Sequence, residues 1–256
     1  MLSRWFKKLN NNLLSNNKSL FFLIVSILCL SFQNCIGQQA SKKDSKIYTY
    51  KEGNPNGIGK WFMGREIAYV MGYQGMRWLN RPEREKEEKV SLLIKNLDIQ
   101  SNDVIADIGA GSGYHTFRMA PLAQKGKVYA VDIQKEMLSE IERRKKLKNI
   151  NNINLILGGE QTTNLPKNSI DKVLMVDVYH EFSNPLEMLE SIKSSLKKDG
   201  RIYLIEYRGE DSSIPIKEIH KMTEKQAVKE LNFAGFKLVK NIENLPWQHC
   251  MIFEKE

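Results

Sequence analysis

From residue 104 onward the chain alternates short apolar runs with longer stretches whose apolar residues recur at helical spacing. Val104-Ile105-Ala106-Asp107-Ile108 is closed by glycines and predicts a buried strand, and Tyr114 to Ala123 follows with a helical repeat. A second strand is predicted over Val128 to Asp132, then a helix over Lys135 to Lys148 and a third strand over Ile153 to Leu157. Val173 to Val176 makes a fourth strand, Leu186 to Leu196 a helix and Ile202 to Ile205 a fifth strand. A helix over Lys225 to Ala234 and strands over Lys237 to Ile242 and Met251 to Phe253 complete the series. Continuous apolar strands separated by helices describe a parallel sheet covered on both faces. The expected fold class is therefore α/β, doubly wound and mostly parallel. Upstream, Arg84 to Leu97 predicts one helix in an N-terminal helical cap, whereas Lys60 to Asn80 is rich in aromatics and methionine and shows no clear period. Residues 38 to 60 are polar, contain Gly53, Pro55, Gly57 and Gly59, and are expected to be a linker, so the domain is set at 61 to 256.

Near the start, Leu20 to Phe32 is an apolar run of 13 residues preceded by Arg4, Lys7, Lys8 and Lys18. The roughly 20 residues of a membrane-spanning helix exceed it, and the ~7 to 15 of a signal-peptide core match it. Residues 1 to 37 are expected to be a signal sequence or a membrane anchor, with Cys35 as an alternative lipid-bearing residue. The expected location is periplasmic, or membrane-anchored facing the periplasm, with membrane association through this segment. Composition adds little to this picture except by exclusion. Of 39 basic residues, four lie in that first stretch, leaving 35 against 30 acids, and no concentrated basic groove argues for a nucleic-acid partner. The basic run Arg143 to Lys146 ends a predicted helix, where cations complement the carbonyl end of the dipole. Three cysteines without a Cys/His spacing indicate neither a disulfide framework nor a metal.

The chemistry begins at Asp107-Ile108-Gly109-Ala110-Gly111-Ser112-Gly113. A glycine-rich turn between strand and helix lets backbone N–H groups approach a nucleoside cofactor. The spacing is GxGxG rather than the dinucleotide GxGxxG, and the acid two residues before it would repel a pyrophosphate while suiting a cofactor with ammonium and sulfonium centres. Asp132 ends the next strand 23 residues after Gly109, where a carboxylate can accept from two ribose hydroxyls, with Ile133 beside it. Each acid also has a plainer role, as a turn or helix cap.

Together these features resemble the class I S-adenosylmethionine-dependent methyltransferases over roughly residues 85 to 253. The resemblance implies a seven-stranded Rossmann-like sheet whose last strand, Met251 to Phe253, lies antiparallel between the fifth and sixth. It implies that Asp107, Gly109, Gly111 and Gly113 lie against the methionine part of S-adenosylmethionine, that Asp132 holds the ribose, and that Gly158 to Thr162, with Glu160 and Gln161, lies beside the adenine. A plain polar loop is the other account of that last segment. The segment Asp177-Val178-Tyr179-His180-Glu181-Phe182 resembles the hydrophobic-Asp-x-x-His element of small-molecule methyltransferases. With Met63 to Ala68, Glu206-Tyr207-Arg208, Ile216-Lys217, His220-Lys221-Met222 and Pro246 to His249, it resembles a subgroup of exported bacterial methyltransferases.

Ligands of open parallel sheets bind beyond the carboxyl ends of the strands, which puts Asp177 to Phe182 at the pocket mouth. Methyl transfer needs in-line placement and, for a hydroxyl or ammonium acceptor, removal of a proton. His180 is the first candidate base, with Asp177, Tyr179 and Glu181 as orienting neighbours and Asp177 also beside the cofactor; the alternative is a histidine that only holds the loop. His220 and His249 either line the same pocket or are structural, and His115 is placed for backbone contact. Trp61, Phe62, Tyr69, Tyr73 and Trp78 either roof an apolar acceptor or pack. Arg65 and Glu66 are placed to pair, and Arg208 to bind an anionic acceptor or a surface acid. The expected activity is methyl transfer to a small-molecule acceptor, against a non-catalytic cofactor-binding module or a protein methyltransferase.

Overall fold

The computed structural model describes residues 47–256. The expected signal or anchor and Cys35, and the expected linker up to residue 46, lie outside the described residues. Among the described residues no helix is long and apolar enough to cross a membrane. The compact unit that begins at Tyr50 carries everything that follows.

The expected linker boundary at residue 60 falls inside a strand. β1 (Gly57–Phe62) pairs antiparallel with β2 (Arg65–Ala68) around a turn at Met63-Gly64. The polar, glycine-rich stretch before it is folded because it serves Glu66, whose carboxylate accepts the backbone N–H of Asn54 at 2.7 Å and of Gly59 at 3.3 Å. A Cβ at Gly53 or Gly57 would overlap that carboxylate. Glu66 therefore does not pair with Arg65, which forms a two-pronged pair with Glu230 at 2.7 and 2.8 Å. The expected helical cap is thus a hairpin followed by short helices, α1 (Met76–Leu79), α2 (Arg84–Glu88) and α3 (Val90–Asn96). Lys89, at a left-handed φ of 48°, separates the last two, where the sequence predicts one continuous helix.

The main sheet is built from β3 (Val104–Ile108), β4 (Lys127–Asp132), β5 (Ile153–Leu157), β6 (Ile170–Val176), β7 (Leu196–Arg208), the two-residue β8 (Lys221–Met222), β9 (Phe236–Asn241) and β10 (Gln248–Lys255). Its spatial order is β9-β10-β7-β6-β3-β4-β5, with β8 added beside β7. β10 runs antiparallel to both β7 and β9, and the pairs from β7 to β5 are parallel. The seven-stranded order is the one the resemblance implies, and β8 makes an eighth strand that the sequence does not signal.

Helices cover both faces because successive strand residues point to opposite sides. Ala106, Val173, Met175, Ile202 and Leu204 pack with Leu189 and Ile192 of α6 (Pro185–Ser195) and with Ala227 and Leu231 of α7 (Glu224–Phe233). Ile105, Leu174, Tyr203 and Ile205 pack on the other face with Leu93, with Met119 of α4 (Thr116–Met119) and with Ile141 of α5 (Lys135–Leu147). The predicted helix over 114–123 contracts to the four residues of α4, because the glycine turn and the turn after Met119 occupy its ends. β3 and β6 are neighbours, yet the chain leaves one for β4 and the other for β7. The strand order therefore reverses between them and opens a crevice at their carboxyl ends.

Candidate active site

A cavity of about 490 Å³ fills this crevice, within the ~300–1,000 Å³ range of small-molecule sites. Its floor is the turn after β3. The N–H groups of Gly109 and Ala110 both donate to the Val131 carbonyl, at 2.9 and 3.0 Å, which pins the turn to β4. Gly109 has φ 70°, and a Cβ there would overlap Val178 from the loop after β6, so glycine satisfies backbone and packing together. Gly111 donates its N–H to Asp132 Oδ2 at 2.8 Å, and Asp132 Oδ1 accepts from Gln134 N at 2.9 Å. Asp132 thus joins the glycine turn to the start of α5 while lining the cavity beside Ile133. Burial raises its pKa, and the N–H groups of Gln134, Gly111 and Ile133 oppose that rise. Gly109 and Gly111 are on the wall, whereas Gly113 packs behind the turn against Phe117 and Ile141.

Asp107 does not face the cavity. Only 2% exposed, it takes the Thr116 hydroxyl of α4, and burial pushes its carboxyl up to about 6. Strand parity explains the direction: Asp107 shares the face of Ile105, which α4 covers, not that of Ile108, which lines the cavity. The carboxyl groups on the wall are instead those of Asp132, Asp177, Glu181 and Glu160.

The loop after β6 carries most of the remaining chemistry. Asp177 adopts φ 51°, unusual for a residue with a side chain, and its N–H donates to the Ile205 carbonyl at 2.9 Å. Its Oδ2 accepts from Gln248 Nε2 at 2.7 Å, while its Oδ1 is buried without a partner. Burial, reinforced by Glu88 and Glu206, holds the Asp177 carboxyl well above the usual range. His115 Nε2 is a second buried atom of the wall without a partner, and burial with Arg84 and Arg118 nearby keeps this ring neutral. His115 therefore contributes its ring to the cavity, beyond the backbone contact expected of it.

His180 is 2% exposed and lies on the wall. Its Nδ1 is 2.7 Å from Glu206 Oε2, and its Nε2 is 3.1 Å from His220 Nδ1. Burial is the largest influence and lowers the imidazole pKa, but the Glu206 charge, the Glu206 hydrogen bond and the Glu181 charge together outweigh it, and the net shift is upward. His220 is driven down to about 4 by burial and by His180. Glu181 is raised to about 7 by burial, and its Oε2 accepts from Met71 N at 3.2 Å. Tyr179 is not among these wall residues: it is fully buried, and its hydroxyl donates to Glu230 Oε2 at 2.8 Å on the side where Arg65 lies. Glu206, which no spacing rule marks as a site residue, organises the loop by accepting from Tyr179 N at 2.9 Å as well as holding His180.

Further along, Glu160 is on the wall but Gln161 is exposed and off it, its place taken by Thr162 and Thr163. Val70, Met71, Trp78 and Leu79 also line the cavity. Gln134 ties this segment down, donating to the Met71 carbonyl at 3.0 Å and accepting from Tyr73 N at 2.7 Å. Of the five aromatics only Trp78 reaches the wall; Phe62 is in the core, Trp61 stacks under Lys51, and Tyr69 and Tyr73 are exposed. His249 and Arg208 contact each other at 3.1 Å, and His249 also reaches Glu210 at 2.8 Å, so neither belongs to the cavity.

The family of the methyltransferase domain matches residues 99–251. The chain is 24% identical to the uncharacterized methyltransferase YcgJ of Bacillus subtilis, over 63% of this chain and 64% of that protein. It is 31% identical to a protein-L-isoaspartate O-methyltransferase of Dictyoglomus thermophilum, over 48% of this chain and 51% of that one, and 33% identical to a tRNA U34 carboxymethyltransferase of Histophilus somni, over 48% and 38%. The matches thus span between 38% and 64% of these relatives. Among solved structures, a SAM-dependent methyltransferase from Aquifex aeolicus superposes with a TM-score of 0.68 at 22% identity, covering 72% of this chain and 98% of that one. S-adenosylmethionine is the cofactor of this fold, and the cavity fits it. The glycine cradle admits a ligand where a Cβ could not stand, Asp132 offers a carboxylate at the end of β4, and the buried, unpartnered His115 Nε2 and Asp177 Oδ1 give polar anchors for an amino-acid end. The chain belongs to the methyltransferase domain family, with the class I S-adenosylmethionine-dependent fold.

Proposed function

We propose that the protein transfers a methyl group from S-adenosylmethionine to a small-molecule acceptor whose reacting oxygen or nitrogen lies at the His180–Glu181–His220 end of the cavity. One observation carries this reading: a single roofed cavity is lined both by the glycine turn with Asp132 and by the His180 cluster. The roof favours a small acceptor over a macromolecule, because the segment around Met71 is bonded to Gln134 beside the cofactor turn and to Glu181 beside the acceptor end.

The cofactor, when bound, supplies an electrophilic methyl on a sulfonium sulfur. Asp132 and the glycine turn orient the nucleoside, and Asp177 and His115 hold polar atoms of its amino-acid part. With the cofactor held there, transfer would exchange its carbon–sulfur bond for a bond from the acceptor to the methyl carbon, and the wall residues would set the line of approach. The acceptor's proton departs into the His180–Glu181–His220 cluster, where Glu206 fixes the His180 ring. Trapping the reactants under Val70, Met71, Trp78 and Leu79 excludes water and holds the nucleophile for in-line attack.

The test is incubation of the purified chain with S-adenosylmethionine bearing a tritiated methyl and a cell extract. Label is expected in the small-molecule fraction, and His180→Ala should reduce its transfer by about 10²–10⁴, the usual worth of positioned proton transfer, with affinity for S-adenosylhomocysteine within twofold. Label confined to protein, or full transfer by His180→Ala, would overturn the proposal.

A further inference from the structure

We propose that His180, Glu181 and His220 form a binding site for one first-row divalent metal ion at the acceptor end of the cavity. His180 Nε2 and His220 Nδ1 are 3.1 Å apart, and Glu181 Oε1 is 3.9 Å from His180 Nε2. One ligand atom from each of the three lies within 4.8 Å of the others. Metal–nitrogen bonds of ~2.0–2.1 Å put two ligand nitrogens about 2.9 Å apart at a right angle and about 3.3 Å apart at a tetrahedral angle. The observed 3.1 Å falls between them, so the two nitrogens already stand at ligand spacing, and the rings turn from facing each other toward a shared point as the glutamate closes in.

The surroundings are those of a ligand set. A metal-bound histidine ordinarily gives its other ring nitrogen to a carboxylate, which fixes the tautomer that leaves a lone pair for the metal. His180 Nδ1 has this partner in the fully buried Glu206, at 2.7 Å. Among the described residues no lysine or arginine pairs with Glu181, and its one hydrogen bond, from Met71 N, goes to Oε2 and leaves Oε1 free for a cation. Of the nearby cations, Arg65 is neutralised by Glu230, and Lys217 lies on the wall beside His220. Glu181 thus offers its carboxyl to the position from the wall, while Glu206 stands behind the His180 ring. Two imidazoles and one carboxylate suit zinc, iron(II) and their neighbours and leave coordination positions open toward the cavity.

Resting on the proposed methyl transfer, the acceptor then binds as an oxygen or nitrogen ligand of the ion. In the metal-loaded protein the three side chains act on its proton through the metal, which acidifies the bound group so that the proton leaves past the half-buried His220 to solvent water.

The purified full chain, stripped with chelator and dialysed, is titrated with zinc by calorimetry and with cobalt(II) by visible absorption. One ion per chain is expected, with affinity reduced at least tenfold in Glu181→Gln and in His220→Ala. In Glu206→Gln, which removes the partner of His180, the loss should be about 10–100-fold. His249→Ala, at the His249–Glu210 pair outside the cavity, should bind as wild type. His220 is only half-buried on a short turn, so its variant keeps the fold, and affinity for S-adenosylhomocysteine within twofold in every variant confirms that. Absence of stoichiometric binding, or binding lost in His249→Ala but unchanged in His220→Ala, would overturn the metal site. Full methyl transfer by metal-free protein in excess chelator would overturn it too while leaving the functional proposal intact. Zinc binding at this site with no methylated product would sink the functional proposal and leave the metal site standing.

Discussion

Replacing Asp132 by alanine tests the cofactor site at its most connected residue. In the free protein the carboxylate holds Gly111 N at 2.8 Å and Gln134 N at 2.9 Å, so the variant releases one anchor of the glycine turn and one of α5. A carboxylate has about four acceptor sites, which leaves capacity for the two ribose hydroxyls. Each hydrogen bond to a charged acceptor is worth about 1.5–3 kcal/mol, so two give about 3–6 kcal/mol, or about 10² to 10⁴ in affinity at 1.4 kcal/mol per decade. Calorimetric titration with S-adenosylhomocysteine reads that loss directly. Asp132→Asn separates the two duties, because its one oxygen can keep a backbone anchor while the negative charge is lost. It should fall between wild type and Asp132→Ala in affinity and stay near wild type in thermal unfolding. An Asp132→Ala protein that binds within threefold of wild type would refute the ribose assignment, whatever its thermal stability.

Two further outcomes follow from the turn itself. The folded-state pKa of Asp107, about 6, lies above its ordinary 3.8, so its contribution to stability is complete below pH 4 and is lost as pH rises through 6. The wild type should therefore lose about 2 kcal/mol relative to Asp107→Asn between pH 4 and pH 7, read from urea unfolding across that range, and a pH-independent difference would refute it. Gly109→Ala forces a side chain into φ 70° and against Val178, and the backbone term alone, roughly 1–2 kcal/mol, predicts about tenfold weaker cofactor binding. Calorimetry should show partial recovery in the double variant with Val178→Ala, since that change relieves the overlap and not the dihedral; wild-type affinity in the single variant would contradict the cradle geometry.

The sheet was legible because its strands are buried on both sides. Ile105 and Ala106, or Val173 and Leu174, go to opposite layers, and only apolar residues satisfy both. The hairpin was not, since its defining interaction, Glu66 with the N–H groups of Asn54 and Gly59, is made by polar residues that read as linker. Nor was the break at Lys89, where no glycine or asparagine announces the left-handed turn. In the site, the glycine turn and Asp132 were legible from spacing, while Asp107 was assigned its direction without regard to strand parity, which turns it toward Thr116. Glu206 carries a signal of its own in the sequence. It follows Leu204 and Ile205 in an apolar strand, and an acid at such a position must be paid for by a partner; the partner is His180. His220 and His249 were equal candidates for the pocket of His180 in the sequence, and only the fold separates them, because the 40 positions between His180 and His220 include all of α6 and β7.

Several costly features gather at the crevice, on the loop after β6 and on the strand β7 beside it. Asp177 holds a positive φ and an unpartnered carboxylate oxygen, Glu206 is an acid with no exposure, and Glu181 is raised to about 7 by burial. Each costs folding free energy with no gain in packing, and such strain persists where a ligand relieves it. Arg65 and Arg84 do not relieve it, since they are engaged by Glu230 and Glu88. What remains is a carboxyl-lined cavity that a cationic ligand stabilises by occupying it. A sulfonium nucleoside answers the Asp132 and Asp177 side, and a metal ion the Glu181 and Glu206 side. The loop from Asp177 to Glu181 carries wall residues of both.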